Sequence, residues 1–235
     1  MNMPVVRCRR RDDGDVSEFG LEEVPEALVP GVQKSGFELC DGVWVRRFPA
    51  DSPQLEVSWT NFQRLIGPWL RQAANLEPAP WDDALSEVCR RLNAAEVDWW
   101  LTGSAALAAR GLRVSPGDLD LVVSGPDAQR VGDLLADGLV EPVAPADWFC
   151  DWWGRAIIGA RVEWVGGVGA AADQPAVSDF GPEAAARLER IEWRGHELRV
   201  PPLELQRAVS VRRGLHERVR MIDAAVGYRR RSAGQ

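Results

Sequence analysis

The sequence predicts a mixed α/β (α+β) domain, a small β-sheet flanked by helices, with an N-terminal hairpin extension and a helical C-terminal region. Three observations predict it. From Trp81 onward, short apolar runs alternate with stretches of helical periodicity. Glycine and proline punctuate those stretches, at Gly111, Gly138, Gly195 and Pro201-Pro202. The chain of 235 residues is 46% hydrophobic and 27% charged, a balance that buries a real core.

Residues 1 to about 30 are charged and weakly periodic, and a loose arm is expected there. Phe37 to Phe48 reads as a hairpin, because Asp41-Gly42 suits a tight type I′ turn. A short helix follows over Thr60 to Ala73. Pro78 and Pro80 mark a boundary, giving an extension over 1–80 and a domain over 81–235. Asp82 or Asp83 caps a helix whose Leu85, Val88, Leu92 and Ala95 share a face. Trp99 to Thr102 reads as a strand, Ser104 to Arg110 as a helix, and Asp118 to Val123 as a second strand. Asp127 to Asp137 is helical up to Gly138. Leu139 to Val143 and Arg161 to Val165 are strands. Glu183 to Arg190 is helical, Ile191 to Val200 is a hairpin around Gly195, and the C-terminal helices break at Gly214.

Composition excludes several classes. A net charge of −7 does not suit a uniformly basic nucleic-acid binder. It favours a small-molecule or protein partner over RNA. No run approaches a membrane span, and Met1 to Asp15 lacks the apolar centre of a secretory signal. Cys8, Cys40, Cys89 and Cys150 form no CxxC pair, so reduced thiols and a cytoplasmic setting are expected. Lys34, the sole lysine, is not in a P-loop context.

The chemistry concentrates in Leu101 to Val123. Asp118 and Asp120 alternate onto one face of a strand, roughly 6.6 Å apart at Cα. Two such carboxylates repel unless a cation lies between them, and oxygen-only donors suit Mg²⁺. The Gly103-Ser104 turn opens a helix, where free N–H groups and the dipole favour phosphate. Arg110 and Arg113 flank that turn and are candidates for phosphate contact, against the simpler reading of a solvated helix end. Arg155 is a further candidate. Among eleven tryptophans, most read as core, with one available for stacking on a ring. Gly167-Val-Gly-Ala-Ala-Ala172 matches a dinucleotide fingerprint, but Pro175 interrupts the helix that motif needs. Val211 to Arg230 reads as an amphipathic packing helix.

This stretch resembles the signature of the polymerase-β-like nucleotidyltransferases, including the minimal and aminoglycoside-type members: an apolar residue, Gly-Ser, a spacer, then Asp-apolar-Asp-apolar. Thr102 replaces the apolar residue, and the thirteen residues between Ser104 and Asp118 make a spacer near the long end of the pattern. The resemblance is specific over residues 100–123 and looser over 81–230. It implies transfer of a nucleoside monophosphate from an NTP to a hydroxyl of a small molecule, protein or RNA, with two Mg²⁺ ions or Mn²⁺. It implies that Asp118 and Asp120 hold both metals and that Gly103 and Ser104 hold the β- and γ-phosphates. It also implies a third carboxylate on a later strand. Glu163, in an otherwise apolar strand, is the choice, with Glu192 and Asp151 as fallbacks and a surface salt bridge as the simpler reading. Two alternatives remain: an inactive member that acts by binding, and a toxin-type nucleotidyltransferase of a toxin–antitoxin pair. Residues 1–80 have two open roles, covering the acceptor pocket or pairing two copies as a homodimer through the hairpin edge.

Overall fold

In the computed structural model, which describes residues 6–146 and 148–232, the charged N-terminal segment is not the expected loose arm. It forms a hairpin of β1 (Arg7–Asp13) and β2 (Val16–Glu22). The sequence hid it because β1 is almost entirely charged. Tertiary contacts supply what periodicity lacks: Arg9 pairs across the hairpin with Glu18 at 3.0 Å, while Phe19 and Leu21 are fully buried. A charged outer strand also protects a sheet edge from mispairing.

After α1 (Val29–Lys34), the expected hairpin follows as β3 (Glu38–Cys40) and β4 (Val43–Pro49). Asp41 and Gly42 both take positive φ at its turn, as a type I′ turn requires. These strands form a four-stranded sheet in the order β1-β2-β4-β3. Helix α2 (Leu55–Ala73) starts earlier than expected, because Leu55 joins Phe62, Ile66, Trp69 and Leu70 in one apolar face. That face meets Phe19, Phe37 and Phe48 from the sheet side. Val140 and Ile157 belong to the same apolar cluster, although they lie far along the chain.

Beyond the predicted boundary come α3 (Trp81–Ala94), β5 (Trp99–Thr102), α4 (Gly103–Ala109), β6 (Asp118–Val123), α5 (Asp127–Leu134), β7 (Leu139–Pro145), β8 (Trp152–Ile158) and β9 (Ala160–Gly166). They build a mixed five-stranded sheet in the order β5-β6-β9-β8-β7, with β6 and β9 parallel and the other pairs antiparallel. Strand β8 was not anticipated. Its alternation is obscured by Gly154, whose position opposite Trp164 is required: a Cβ there would stand 2.2 Å from the Trp164 ring.

Alternation divides the sheet into two faces. Leu119, Leu121, Val123, Val162 and Trp164 join Leu85, Val88, Leu92, Val131 and Ala105, Ala106 and Ala109 of α4 in the main core. Asp118, Asp120, Arg161 and Glu163 face the other way. The N-terminal unit covers one end of this second face, where α2 meets Val140 and Ile157. At the other end, α7 (Leu203–Arg212) and α8 (His216–Ser232) pack through Leu203 and Ile222 against Leu107 of α4. Gly214 takes positive φ at the break between them.

One helix is shorter than expected. Instead of helix over Glu183 to Arg190, α6 (Pro182–Ala185) is one turn long, and β10 (Glu189–Trp193) pairs with β11 (His196–Val200) from Glu189 onward. Arg194 and Gly195 make the tight turn with positive φ, and the ladder of that hairpin takes the residues that would have continued the helix.

Because Val140 and Ile157 complete the apolar face of α2, the two sheets are expected to unfold together. Phe62→Ala should cost about 3–5 kcal/mol and leave a single transition in urea followed by tryptophan fluorescence and far-UV circular dichroism. A separate early transition would contradict the shared core.

Candidate functional site

A register of four strands sets the site. Thr102 pairs with Asp120, Asp120 with Glu163, and Glu163 with Arg155, so these side chains stand in one row on the face left open by the helices. Asp118 stands one step along β6, opposite Arg161. Parallel pairing of β6 with β9 therefore brings Glu163 to the two aspartates that the β6 alternation had already aligned. Carboxylate oxygens of Asp118, Asp120 and Glu163 lie within 4.8 Å of one another. The fallbacks stand elsewhere: Glu192 is on the exposed β10 hairpin, and Asp151 packs beside Gly167.

Asp120 and Glu163 are in different electrostatic states. Burial, then the neighbouring Asp118 and Glu163, push the Asp120 carboxyl up to about 8. Glu163 is buried too, but Arg155 and Arg161 outweigh that penalty and hold it below the usual carboxylate range. Arg155 Nε donates to Glu163 Oε1 at 2.6 Å, and Arg161 approaches the same oxygen at 3.5 Å. Arg161 also donates to Asp118 Oδ2. Glu163 Oε2 makes no hydrogen bond among the described residues. Three converging, mutually repelling carboxylates with unpaired oxygens are a donor set that a hard divalent cation satisfies.

Gly103 sits against this cluster. Its φ is +64°, and a Cβ there would stand 2.2 Å from Asp120 Oδ2. Only glycine lets the first turn of α4 approach the acids so closely. Gln206 Nε2 of α7 donates to the Gly103 carbonyl at 2.9 Å, and Thr102 Oγ1 donates to the Asp179 carbonyl at 2.8 Å. Ser104 is the next residue of the same helix start.

The acids open into a cleft of about 250 Å³. Gly103, Asp120 and Glu163 line its inner end, and Phe149, Trp153 and Phe180 form an aromatic wall. Phe149 and Phe180 pack with centroids 5.1 Å apart. Arg213 and Arg218 face the cleft from the α7–α8 break, and among the described residues neither side chain makes an ion pair or a hydrogen bond. Burial, then repulsion from Arg213, lowers the Arg218 pKa against the opposing pull of Asp179, Asp120 and Asp118. Asp179 also lines the cleft, and its burial raises its carboxyl pKa.

The structure puts Arg110 and Arg113 elsewhere. Arg110 donates to the Pro201 carbonyl at 2.9 Å and pairs with Glu189 at 2.6 Å. Arg113 lines shallow grooves beside Met221 on α8. Sequence reasoning missed Arg213, Arg218 and Asp179, which carry no local signature and reach the cleft only through the packing of α7 and α8. Arg155 meets the site through Glu163. Trp153 lines the cleft, whereas Trp148 is 81% exposed beside Phe149. Gly167 and Gly169 lead into a 3₁₀ turn over Ala170–Asp173, without the helix a dinucleotide site needs. No described helix is long and apolar enough to cross a membrane.

No protein-family model and no curated protein matches the chain. Solved structures similar to it include a Thermotoga maritima protein provisionally named a nucleotidyltransferase, at 19% identity and TM-score 0.44 over 61% of this chain and 91% of that one. The antibiotic-resistance factor ANT(2″)-Ia matches at 12% identity and TM-score 0.44, covering 64% and 92%. The lincosamide antibiotic adenylyltransferase LnuA, lincomycin-bound, matches at 12% and 0.42, covering 60% and 94%.

The raised Asp120 carboxyl has a pH consequence. A folded-state pKa of about 8 against an ordinary 3.8 makes its contribution to stability full below about 4 and lost as pH rises through about 8. Without divalent metal, the wild-type chain should therefore lose stability between pH 5 and pH 8 relative to Asp120→Asn, read as urea midpoints. Equal losses in both proteins would contradict the electrostatics described. Gly103→Ala, which drives a methyl into Asp120, should weaken Mn²⁺ binding in calorimetry while the fold persists by circular dichroism.

Proposed function

We propose that the chain is an enzyme that transfers a nucleoside monophosphate from an NTP to a hydroxyl acceptor, with Mg²⁺ as the metal and Mn²⁺ as a substitute. The observation that carries this reading is the convergence of Asp118, Asp120 and Glu163 on a helix start that only glycine permits, inside a cleft with two unpaired arginines. Asp118, Asp120 and Glu163 would hold the divalent ions, which when bound would supply charge neutralisation at the triphosphate and at the attacking oxygen. The chain's own residues do the rest. Asp118 and Asp120 present oxygens from one strand, and Glu163 completes the set from the neighbouring strand. The first N–H groups of α4, at Gly103 and Ser104, have no partners within the helix and offer donors to phosphate oxygens. Arg213 and Arg218 are the cations placed to hold the triphosphate, the role first expected of Arg110 and Arg113. Glu163, kept ionised by Arg155 and Arg161, can take the proton from the acceptor hydroxyl.

The acceptor reading is a small molecule. A cleft of about 250 Å³ is near the lower end of ligand pockets. Its walls carry Phe149, Trp153 and Phe180, which suit a flat ring from the acceptor or from the NTP base. One observation favours the non-catalytic alternative: Arg161 already sits on Asp118, as an internal counter-cation would in a binding protein. Metal titration separates the two readings.

Incubation with each labelled NTP and Mg²⁺, against lysate, tRNA and an aminoglycoside panel, should give pyrophosphate and a labelled acceptor, and Asp118→Ala should abolish both. The double variant Arg213→Met/Arg218→Met should raise the KM for NTP by about tenfold or more, since charge-assisted contacts contribute roughly 1.5–3 kcal/mol each, while Mn²⁺ affinity holds or rises because two cations near the acids are gone. A wild-type protein that binds neither Mn²⁺ nor any NTP would remove the enzyme reading.

A further inference from the structure

The charged row does not stop at the three acids. Arg155, 4% exposed, is the next member on β8, and it pairs in register with Glu141 on β7, whose side chain is fully buried. Arg155 Nη1 donates to Glu141 Oε1 at 2.5 Å. Glu141 in turn receives a two-pronged contact from Arg46 of β4: Nε to Oε1 at 3.1 Å and Nη2 to Oε2 at 3.0 Å. The Arg155 guanidinium touches the N-terminal unit twice more. It donates to the Ser35 carbonyl at 3.1 Å and lies over the Trp69 ring of α2 at 4.9 Å. Arg46 is itself held by the Gly36 carbonyl at 3.2 Å. A continuous chain of charge-assisted contacts thus runs from the N-terminal sheet, Arg46 to Glu141 to Arg155, and ends on Glu163 Oε1.

We propose that the N-terminal unit is part of the catalytic apparatus: Arg46, acting through Glu141 and Arg155, is a positioning residue that fixes Glu163 as the third metal ligand. This rests on the metal-site reading above. Stability alone is a weak reason for such a chain, because the desolvation of buried charges offsets most of their attraction, and apolar replacements are often neutral. Fixed geometry is what a fully satisfied buried network supplies. The geometry here has a use. Both arginines approach Oε1 of Glu163, which leaves Oε2 without a hydrogen bond among the described residues, and a Glu163 carboxylate oxygen lies within 4.8 Å of one from each of Asp118 and Asp120. Guanidinium planarity transmits the orientation, because the Nε and Nη1 contacts of Arg155 are set by one rigid fork. Residues 35–69, which the catalytic motif does not include, thereby decide where a ligand on β9 points.

The test must separate position from charge. Arg46→Met alone removes a cation near Glu163, and that change by itself favours a dication. Arg46→Met/Glu141→Gln removes one charge of each sign, so the net charge is unchanged and no buried charge is stranded. The expected result is Mn²⁺ binding to the full chain, by calorimetry without nucleotide, weakened about tenfold or more. Turnover should fall in kcat while the KM for NTP holds, and the thermal midpoint should stay near that of wild type. Arg46→Lys, which keeps the charge but loses the fork, should fall between. If the double variant does not fold, Arg46→Lys carries the test, with weakened Mn²⁺ binding and a lowered kcat expected. Wild-type Mn²⁺ affinity and kcat in a folded double variant, or in Arg46→Lys where the double does not fold, would overturn the proposal. A wild-type chain that binds no Mn²⁺ would instead sink the metal-site reading, and the positioning role with it.

Discussion

The structure depends on keeping like charges close together on one face of a small sheet. Asp118, Asp120 and Glu163 converge within 4.8 Å, in a partly buried place where each ionised group raises the cost of the next. The sheet meets that cost by register. Asp118 and Glu163 each have a strand neighbour of opposite charge, Arg161 and Arg155, whereas Asp120 stands between Glu163 and Thr102, whose hydroxyl goes to the Asp179 carbonyl. Among the described residues Asp120 alone of the three makes no ion pair, and its raised carboxyl reflects that imbalance. A divalent ion is the species that would resolve it, which ties these electrostatics to the proposed chemistry.

Everything around the row serves to hold it and leave it accessible. One face of the sheet is sealed by α3, α4 and α5 over an apolar layer that includes Leu119, Leu121 and Val162. The opposite face is covered only at its ends. The N-terminal sheet and α2 close over β7 and β8, and α7 with α8 closes over α4. The cleft lies between the C-terminal helices and the loops after β7 and β9, and its character follows from what each side contributes. The C-terminal helices bring Arg213 and Arg218, whereas Phe149 and Phe180 come from the loops after β7 and β9. Anionic phosphate and a flat ring are therefore served by different walls of one small volume.

The extension before residue 80 has a clearer place in this arrangement than its composition implied. Its charged edge strand looked like a solvated arm, but Phe19 and Leu21 in the adjoining strand anchor it to α2. The core beneath α2 is completed by Val140 and Ile157, so the extension and the sheet share apolar surface. Arg46 then reaches Glu141 across that junction.

The sequence by itself determined the local features whose physics is local. The Asp118-Leu-Asp120 alternation, the Gly103-Ser104 turn before small helical residues, the Asp41-Gly42 hairpin and the apolar stripe of α3 are short-range consequences of period and turn chemistry, and they were legible. Glu163 was legible as a costly carboxylate in an apolar strand, but its place beside Asp120 needed the parallel pairing of β9 with β6. Only the tertiary structure decided the rest. Strand β8 was masked by Gly154 and Arg155, whose reasons for being there are the Trp164 ring and Glu163 on the neighbouring strand. Arg110 and Arg113 are near the motif in sequence yet turn away from the cleft, while Arg213 and Arg218, far along the chain, face it. The physical reason is the same in each case. Side-chain periodicity is set by the residue's own backbone, whereas partners for charge and space are set by which distant strands and helices meet.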